Sequence, residues 1–302
     1  MTRLDGKTAL ITGAANGLGW EYAKSLASLG AHVVINDLGG STDGTGANVA
    51  AAERAANELK DQGYQASFNT ADVADETQAE AMIAQAFDVT GHLDILILNA
   101  GILRDRMVFN MSTADWDSVQ RVHLRGHFLP LHFASARWRE AAKAGDGEPK
   151  PASAVLTTSR SGLYSSAGQI NYASAKAGIA SMAIVAAREL TRYGVRVNAI
   201  APMAKTRLTE SSFGEITSTR WNPSNVAPWV TYLASDESQG VSGQTFIVGG
   251  GRIEWMRTWE PQSAIEAPAG EAFTLDGVLA ARAQLFGERP TTPADFPTAT
   301  WD

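Results

Sequence analysis

The chain contains no cysteine. Disulfide staples, thiolate metal ligation and cysteine nucleophiles are thereby excluded, and a reducing compartment is expected, with the cytoplasm as default. Positive charge is in the minority. Against 32 Asp and Glu stand 25 Lys and Arg, and a net charge of -7 disfavours a nucleic-acid partner and suits a soluble protein. No apolar run approaches the roughly 20 residues that a membrane span requires, so no membrane partner is expected. The opening Met1-Thr-Arg-Leu-Asp-Gly-Lys7 lacks the apolar core of a signal peptide. Internal repeats and low-complexity tracts are missing too. The 302 residues suffice for one large α/β domain or two small ones.

What is present is an alternation of short apolar runs with longer amphipathic ones. Strands are predicted over 8–12, 32–36, 64–69, 93–98, 152–157, 195–200 and 245–248. Helices are predicted over 18–29, 47–62, 76–89, 113–142, 172–192 and 224–235. Continuously apolar strands separated by helices imply a parallel sheet covered on both faces, and right-handed crossovers lead to a doubly wound sheet. The fold class is therefore α/β, a single Rossmann domain over 1–252 with about seven strands. Residues 253–302, Pro-rich with one helical patch near 275–285, read as an extension packed on that domain or on a neighbouring subunit. The Gly- and Pro-rich 143–151 reads as an exposed loop.

The first strand runs into Thr12-Gly13-Ala-Ala-Asn16-Gly17-Leu18-Gly19, which opens the first helix. Glycines there permit a tight turn and close backbone approach, and a helix N-terminus favours a pyrophosphate. Asp37 ends the second strand, where a carboxylate accepts adenosine ribose hydroxyls and repels a 2′-phosphate. No Arg or Lys lies in the glycine loop or directly after Asp37, so NAD is favoured over NADP. The competing reading is that Asp37 only caps the turn with Gly39 and Gly40. Asp72-Val73 and Asn99-Ala100-Gly101 follow two further strands, at the end of the sheet where ligands sit.

Tyr172 and Lys176 lie four residues apart on a predicted helix and share a face. A positive neighbour lowers a phenol's pKa, yet reaching neutrality requires about 4 kcal/mol, more than one lysine supplies, so a second cation is needed. The cationic nicotinamide of NAD is the natural source.

In register, Thr12-Gly-x3-Gly-x-Gly19, Asp37, Asp72-Val73, Asn99-Ala-Gly101, Ser159, Tyr172-x3-Lys176 and Asn198-x3-Pro202 resemble the short-chain dehydrogenase/reductase family over about the first 250 residues. Asn36-Asp-Leu-Gly-Gly40, Asn99-Ala-Gly-Ile-Leu-Arg-Asp-Arg-Met107 and Val122-His-Leu-Arg-Gly126 look like the dehydrogenase region of peroxisomal multifunctional (3R)-hydroxyacyl-CoA dehydrogenases and their bacterial relatives, some associated with steroid breakdown. The resemblance implies NAD-linked oxidation of a 3-hydroxyacyl-CoA thioester by a stand-alone dehydrogenase. It assigns Tyr172 as acid/base, Lys176 to the nicotinamide ribose and Ser159, at the family's spacing before Tyr172, to the substrate oxygen. The resemblance extends to nucleotide contacts by Gly13, Asn16, Gly17, Leu18, Gly19, Asp37, Asp72, Val73, Asn99, Gly101, Tyr172, Lys176, Pro202 and Thr206, and to a homodimer or homotetramer joined through the long helices.

Two positions depart from the family. His123 stands where most members have an asparagine that helps hold a water leading toward the lysine. It is either a relay residue or a helix histidine packed beside Trp116 or Phe128. Met203 follows Pro202 where glycine is usual. His123 and His127 have metal-ligand spacing, but with no intervening Glu and no Cys a zinc site is not expected. Arg104, Arg106 and Arg125 read as solvated helix-end arginines ahead of coenzyme A phosphate contacts. Thr206 to Phe213 reads as a lid over the substrate. Trp221, Trp229, Trp255 and Trp259 suit a pocket for rings or acyl chains, so a hydroxysteroid or other secondary-alcohol dehydrogenase is the second reading. An NADPH-dependent carrier-protein reductase and a non-catalytic nucleotide-binding protein come behind it.

Overall fold

In chain order the strands are β1 (Thr8–Thr12), β2 (His32–Asn36), β3 (Ala66–Asn69), β4 (Ile95–Leu98), β5 (Ala152–Thr157), β6 (Val195–Met203), β7 (Thr245–Gly249) and β8 (Arg252–Met256). In this computed structural model, which describes residues 3–144, 149–209, 218–267 and 269–287, they form one sheet ordered β3-β2-β1-β4-β5-β6-β7-β8. The seven expected strands are parallel neighbours. An eighth, β8, returns antiparallel to β7 through Gly250 and Gly251, both at positive φ, where a side chain would be strained. The chain divides into two compact units, Met1–Met256 and Arg257–Asp302.

Around the sheet lie α1 (Gly17–Ser28), α2 (Ala50–Asp61), α3 (Glu76–Thr90), α4 (Thr113–Gln120), α5 (Gly126–Ala144), α6 (Arg160–Tyr164), α7 (Ile170–Leu190) and α8 (Ala227–Ala234). Adjacent strand residues point to opposite faces. Ile11, Val33 and Ile35 therefore join Tyr22, Leu26, Leu59 and Leu233 in one core. Leu10, Val34, Leu96 and Leu156 join Met82, Trp138 and Ile179 in the other. Every residue of β1, β4 and β5 is buried. The continuous apolar pattern follows from cover on both sides.

The single helix predicted over 113–142 is three pieces. Between α4 and α5 the residues Arg121–Arg125 form a π-helical turn. Pro130 in α5 has no N–H for the Gly126 carbonyl and its ring crowds that carbonyl, so an unbroken α-helix is not available there. In the second unit α9 (Leu275–Phe286) is capped by Thr274, whose hydroxyl accepts the Gly277 N–H at 3.1 Å. No described helix is long and apolar enough to cross a membrane.

Candidate functional site

Strand order reverses between β1 and β4, and the turns leaving their C-terminal ends meet there. Asn99 rivets them. Its Nδ2 donates to the carbonyls of Thr12 and Gly13, each at 3.1 Å, and its own N–H reaches Thr12 Oγ1 at 2.9 Å. Gly13 (φ +64) has no room for a side chain, since a Cβ would fall 2.8 Å from Ala100 Cα. Gly17 (φ +57) faces open space, its nearest neighbour being the Thr206 side chain at 3.8 Å. Asn16 does not cap α1 through its side chain, and no acidic residue occupies the first turn. That N-terminus is thus open to an anion, as the pyrophosphate of a dinucleotide requires.

Asp37 makes the turn cap weighed from the sequence and also anchors the glycine turn. Its Oδ1 accepts the Gly39 N–H at 2.8 Å, which is the turn cap, and its Oδ2 accepts Ala15 N–H at 2.9 Å from the glycine turn. A carboxylate oxygen has two lone pairs, so this anchoring leaves acceptor capacity for a ribose. Asp72 is anchored likewise, with Oδ1 on Ala74 N–H at 2.9 Å and Oδ2 paired to Arg121 at 2.7 Å. Beside it Val73 is buried. Asn36, invisible as a functional residue from the sequence, ties the region together by donating to Asn69 Oδ1 and the Ala71 carbonyl, each at 3.0 Å. Pro202 lies near the end of β6, paired with Val248. The expected lid reaches residue 213, and its part from 210 onward lies outside the described residues.

Ser159 caps α6, its hydroxyl accepting the Ser161 N–H at 3.2 Å, and the same hydroxyl acts on the Tyr172 phenol, favouring its ionised form. The loop between them contains Ser165 (φ 63), the non-glycine residue at positive φ among those described. Two hydrogen-bonded chains hold it. Ser161 donates to Gln169 Oε1 and Gln169 Nε2 donates to Asp105, both at 2.7 Å. Asn171 accepts the Tyr172 N–H at 2.8 Å and donates to the Arg104 carbonyl at 2.9 Å. Gln169, Asn171 and Asp105 were not singled out by spacing, because side-chain pairing across separate segments leaves no local pattern.

Lys176 is buried, with Nζ donating to the Thr157 carbonyl at 2.5 Å and lying 5.6 Å from the Tyr172 ring centroid. Burial brings the lysine down to about 7. Tyr172 moves against expectation. Desolvation pushes its phenol up to about 12, opposed by the Ser159 hydrogen bond and reinforced by the charge of Asp105. A lysine at this distance, itself easily deprotonated, does not offset the loss of water around a phenolate.

His123 is buried and edge-on to Tyr172, with ring centroids 5.0 Å apart. Its Nε2 lies 2.7 Å from the Ile102 carbonyl and 3.0 Å from the Ile102 N–H; a neutral ring serves one of these at a time, according to tautomer. Gly101 makes room for it, since a Cβ there would meet His123 Cε1 at 2.4 Å. Burial, then the charge of Lys176, holds His123 well below the usual imidazole range.

Trp221 is buried, Trp229 packs between Tyr232 and Phe246, and Trp255 and Trp259 are exposed. Among the arginines, Arg104 donates to the Asp43 carbonyl and pairs with Asp115, while Arg125 donates to the Ala74 carbonyl. Both brace loops. No described cluster of three or more His, Asp or Glu is placed to hold a metal.

Residues 7–215 match the family model described as short chain dehydrogenase. The chain is 43% identical over 258 residues to the hydroxyacyl-CoA dehydrogenase ChsB1 of Mycobacterium tuberculosis, covering 83% of this chain and 80% of that one. It is 38% identical over 260 residues to the peroxisomal multifunctional enzyme type 2 of Mus musculus, covering 85% of this chain but 34% of that longer protein. A solved short chain dehydrogenase from Mycobacterium avium superimposes with a TM-score of 0.83 at 38% identity, covering 96% of this chain and 98% of that one.

Proposed function

This chain belongs to the short-chain dehydrogenase family, an oxidoreductase family acting on CH–OH groups with a nicotinamide cofactor, and from that premise we propose that it is an NAD-dependent 3-hydroxyacyl-CoA dehydrogenase. The observation that carries the reading is the buried Lys176 Nζ 5.6 Å from the Tyr172 phenol ring, with the Ser159 hydroxyl acting on the same phenol. Bound NAD supplies the hydride acceptor and a positive charge. Ser159 holds the substrate oxygen. Tyr172 takes the carbinol proton as the C3–H bond breaks, and Lys176 orients the nicotinamide ribose and favours the phenolate. Because the phenol of the protein alone sits at about 12, Tyr172 is a base that works only with its cofactor in place.

NAD over NADP is supported by Asp37, whose oxygens face the glycine turn with no lysine or arginine beside them in sequence. Gly13, Asn16, Gly17, Leu18 and Gly19 receive the pyrophosphate, Asp72 and Val73 border the adenine, and Asn99, Gly101, Pro202 and Thr206 border the nicotinamide side. A bulky acyl group is supported by the exposed Met107, Val108 and Phe109, joined to the loop before Tyr172 by the Arg106 N–H to Gly168 carbonyl bond of 2.8 Å. The same surface suits a steroid ring, the second reading. Exposed Phe128 on α5 and Val185 on α7 support a homodimer or homotetramer through those helices. The cysteine-free, acidic chain supports a cytoplasmic location, although several relatives are named as peroxisomal.

The test is purified protein with NAD and a panel of 3-hydroxyacyl-CoA esters and hydroxysteroids, followed by NADH absorbance. The expected result is turnover of the CoA esters above the steroids. No turnover of any alcohol leaves a nucleotide binder, and turnover unchanged in Tyr172→Phe overturns the mechanism.

A further inference from the structure

His127 follows His123 by one helical turn, on the first turn of α5, and is buried at 1% exposure. Neither of its ring nitrogens has a hydrogen-bond partner in the protein. The carbonyls of His123 and Leu98 lie toward the ring without meeting hydrogen-bond geometry. An imidazole always carries at least one donor and, when neutral, one acceptor, and hiding both from water is unfavourable unless something meets them. The surroundings do not otherwise call for a polar side chain, since Leu98, Leu131 and Ala134 belong to the adjoining apolar core.

The ring belongs to the region of Lys176: one turn before it His123 lies 5.0 Å from the Tyr172 ring, and Lys176 Nζ lies 5.6 Å from that same ring. The lysine's charge acts on both His127 and His123. Leu98 and Leu156 are paired across β4 and β5, and Thr157, next along β5, accepts from Lys176 Nζ. Lys176 Nζ has three N–H bonds when protonated, and this carbonyl satisfies one. His123 Nδ1 is likewise without a protein partner. Donors on the lysine and free nitrogens on two imidazoles thus share one buried region behind the tyrosine.

We propose that His127 is a positioning residue for Lys176: its imidazole accepts a hydrogen bond from the ammonium through one buried water shared with His123 Nδ1. The inference rests on the dehydrogenase reading, and it assigns a role to a residue outside the Ser159, Tyr172 and Lys176 set. The groups acting on the ring are Lys176 from α7 and the carbonyls of His123 from the π turn and Leu98 from β4; Asp105 acts on the Tyr172 phenol. Burial, then the lysine's charge, brings His127 down to about 3, so it acts as an acceptor and not as a proton store. Holding the ammonium in its charged form favours the Tyr172 phenolate. Removing the acceptor lowers the lysine's proton affinity and raises that of the phenol.

The test compares His127→Leu and His127→Asn with wild type on whichever alcohol wild type oxidises. For His127→Leu the pH at which kcat rises to half its plateau should move up by about 1 unit, with kcat at neutral pH down about 10-fold and KM within about twofold, a one-unit shift being one decade. His127→Asn, which keeps an acceptor, should recover most of the loss. Superimposable pH profiles, or equal defects in Leu and Asn, overturn the proposal. A second measurement needs no substrate: 15N NMR of the histidine rings, with His127 assigned by its loss in His127→Asn. Its nitrogen shifts should report a neutral ring from pH 5 to 9 and should move in Lys176→Met. Shifts indifferent to Lys176→Met sink the assignment. If wild type turns over nothing, the dehydrogenase reading fails and the NMR result alone decides the His127–Lys176 contact.

Discussion

The imidazole of His123 stands perpendicular to the phenol ring of Tyr172, centroids 5.0 Å apart and planes at 89°. The edge of one ring thus meets the face of the other, and the position of the proposed base depends on how His123 is seated. That seat is Gly101. Gly101→Ala drives a methyl into the imidazole, so it should cost about 1–3 kcal/mol of stability through overpacking. It should also lower kcat while NAD affinity changes less. Thermal unfolding and steady-state kinetics on one preparation check this, and an unchanged Tm would mean that the ring moves aside freely.

Tyr172→Phe removes the hydroxyl that meets Ser159 and keeps the ring that meets His123. General acid–base groups contribute about 10²- to 10⁴-fold, so kcat should fall in that range. NAD binding, read by tryptophan fluorescence, should stay within about threefold of wild type.

Asp37 has two tasks, and two substitutions separate them. Losing a hydrogen bond to a charged partner costs about 1.5–3 kcal/mol, so Asp37→Ala should weaken NAD about 10- to 150-fold. It also frees the amides of Ala15 and Gly39, and Tm should drop. Asp37→Asn retains a carbonyl acceptor for one amide and should lose less stability than Asp37→Ala. Calorimetric titration with NAD and NADP gives both affinities. A wild-type preference for NADP would contradict the reading of Asp37.

Lys176 is held at a cost in stability. Its folded-state pKa of about 7 lies below the value of 10.5 for a free lysine. The unfolded chain therefore binds the extra proton between those pH values, and wild-type stability rises with pH across that window. Lys176→Met should raise stability by about 1–4 kcal/mol at pH 6, with the advantage fading toward pH 10, while activity collapses. Urea unfolding at several pH values reads the difference directly.

Acid should act through the two buried histidines. His127 falls from 6.5 to about 3 on folding and His123 also falls well below its ordinary value. The contribution of these two rings is complete above pH 6.5 and is lost as the unfolded chain gains protons below it, at about 1.4 kcal/mol per pH unit for each ring. His127→Asn should remove one such slope between pH 6 and 4. Parallel wild-type and variant curves would show the ring already charged in the folded state.

Much of this was legible in the letters because it depends on local repetition. Runs such as Ile95–Leu98 are apolar throughout, and a strand buried on both faces has to be. The glycine turn was legible because backbone geometry at Gly13 and Gly17 admits few alternatives. The π turn was not, since one extra residue in thirty disturbs no periodicity. Strand β8 was missed for the opposite reason: Arg252-Ile-Glu-Trp-Met256 is a short, largely exposed edge strand whose charged residues interrupt the apolar run that marks the buried strands. The Tyr172 pKa went the other way because burial is a property of the folded surroundings and is not written in a four-residue spacing.

The π turn has a consequence for how this protein can change. A regular α-helix advances about 100° per residue. Winding the same five residues Arg121–Arg125 as a regular α-helix, with none removed, would swing α5 by roughly that angle relative to α4 and carry His127 away from the lysine without altering any residue. The winding of the backbone at this point is therefore itself a determinant of the site.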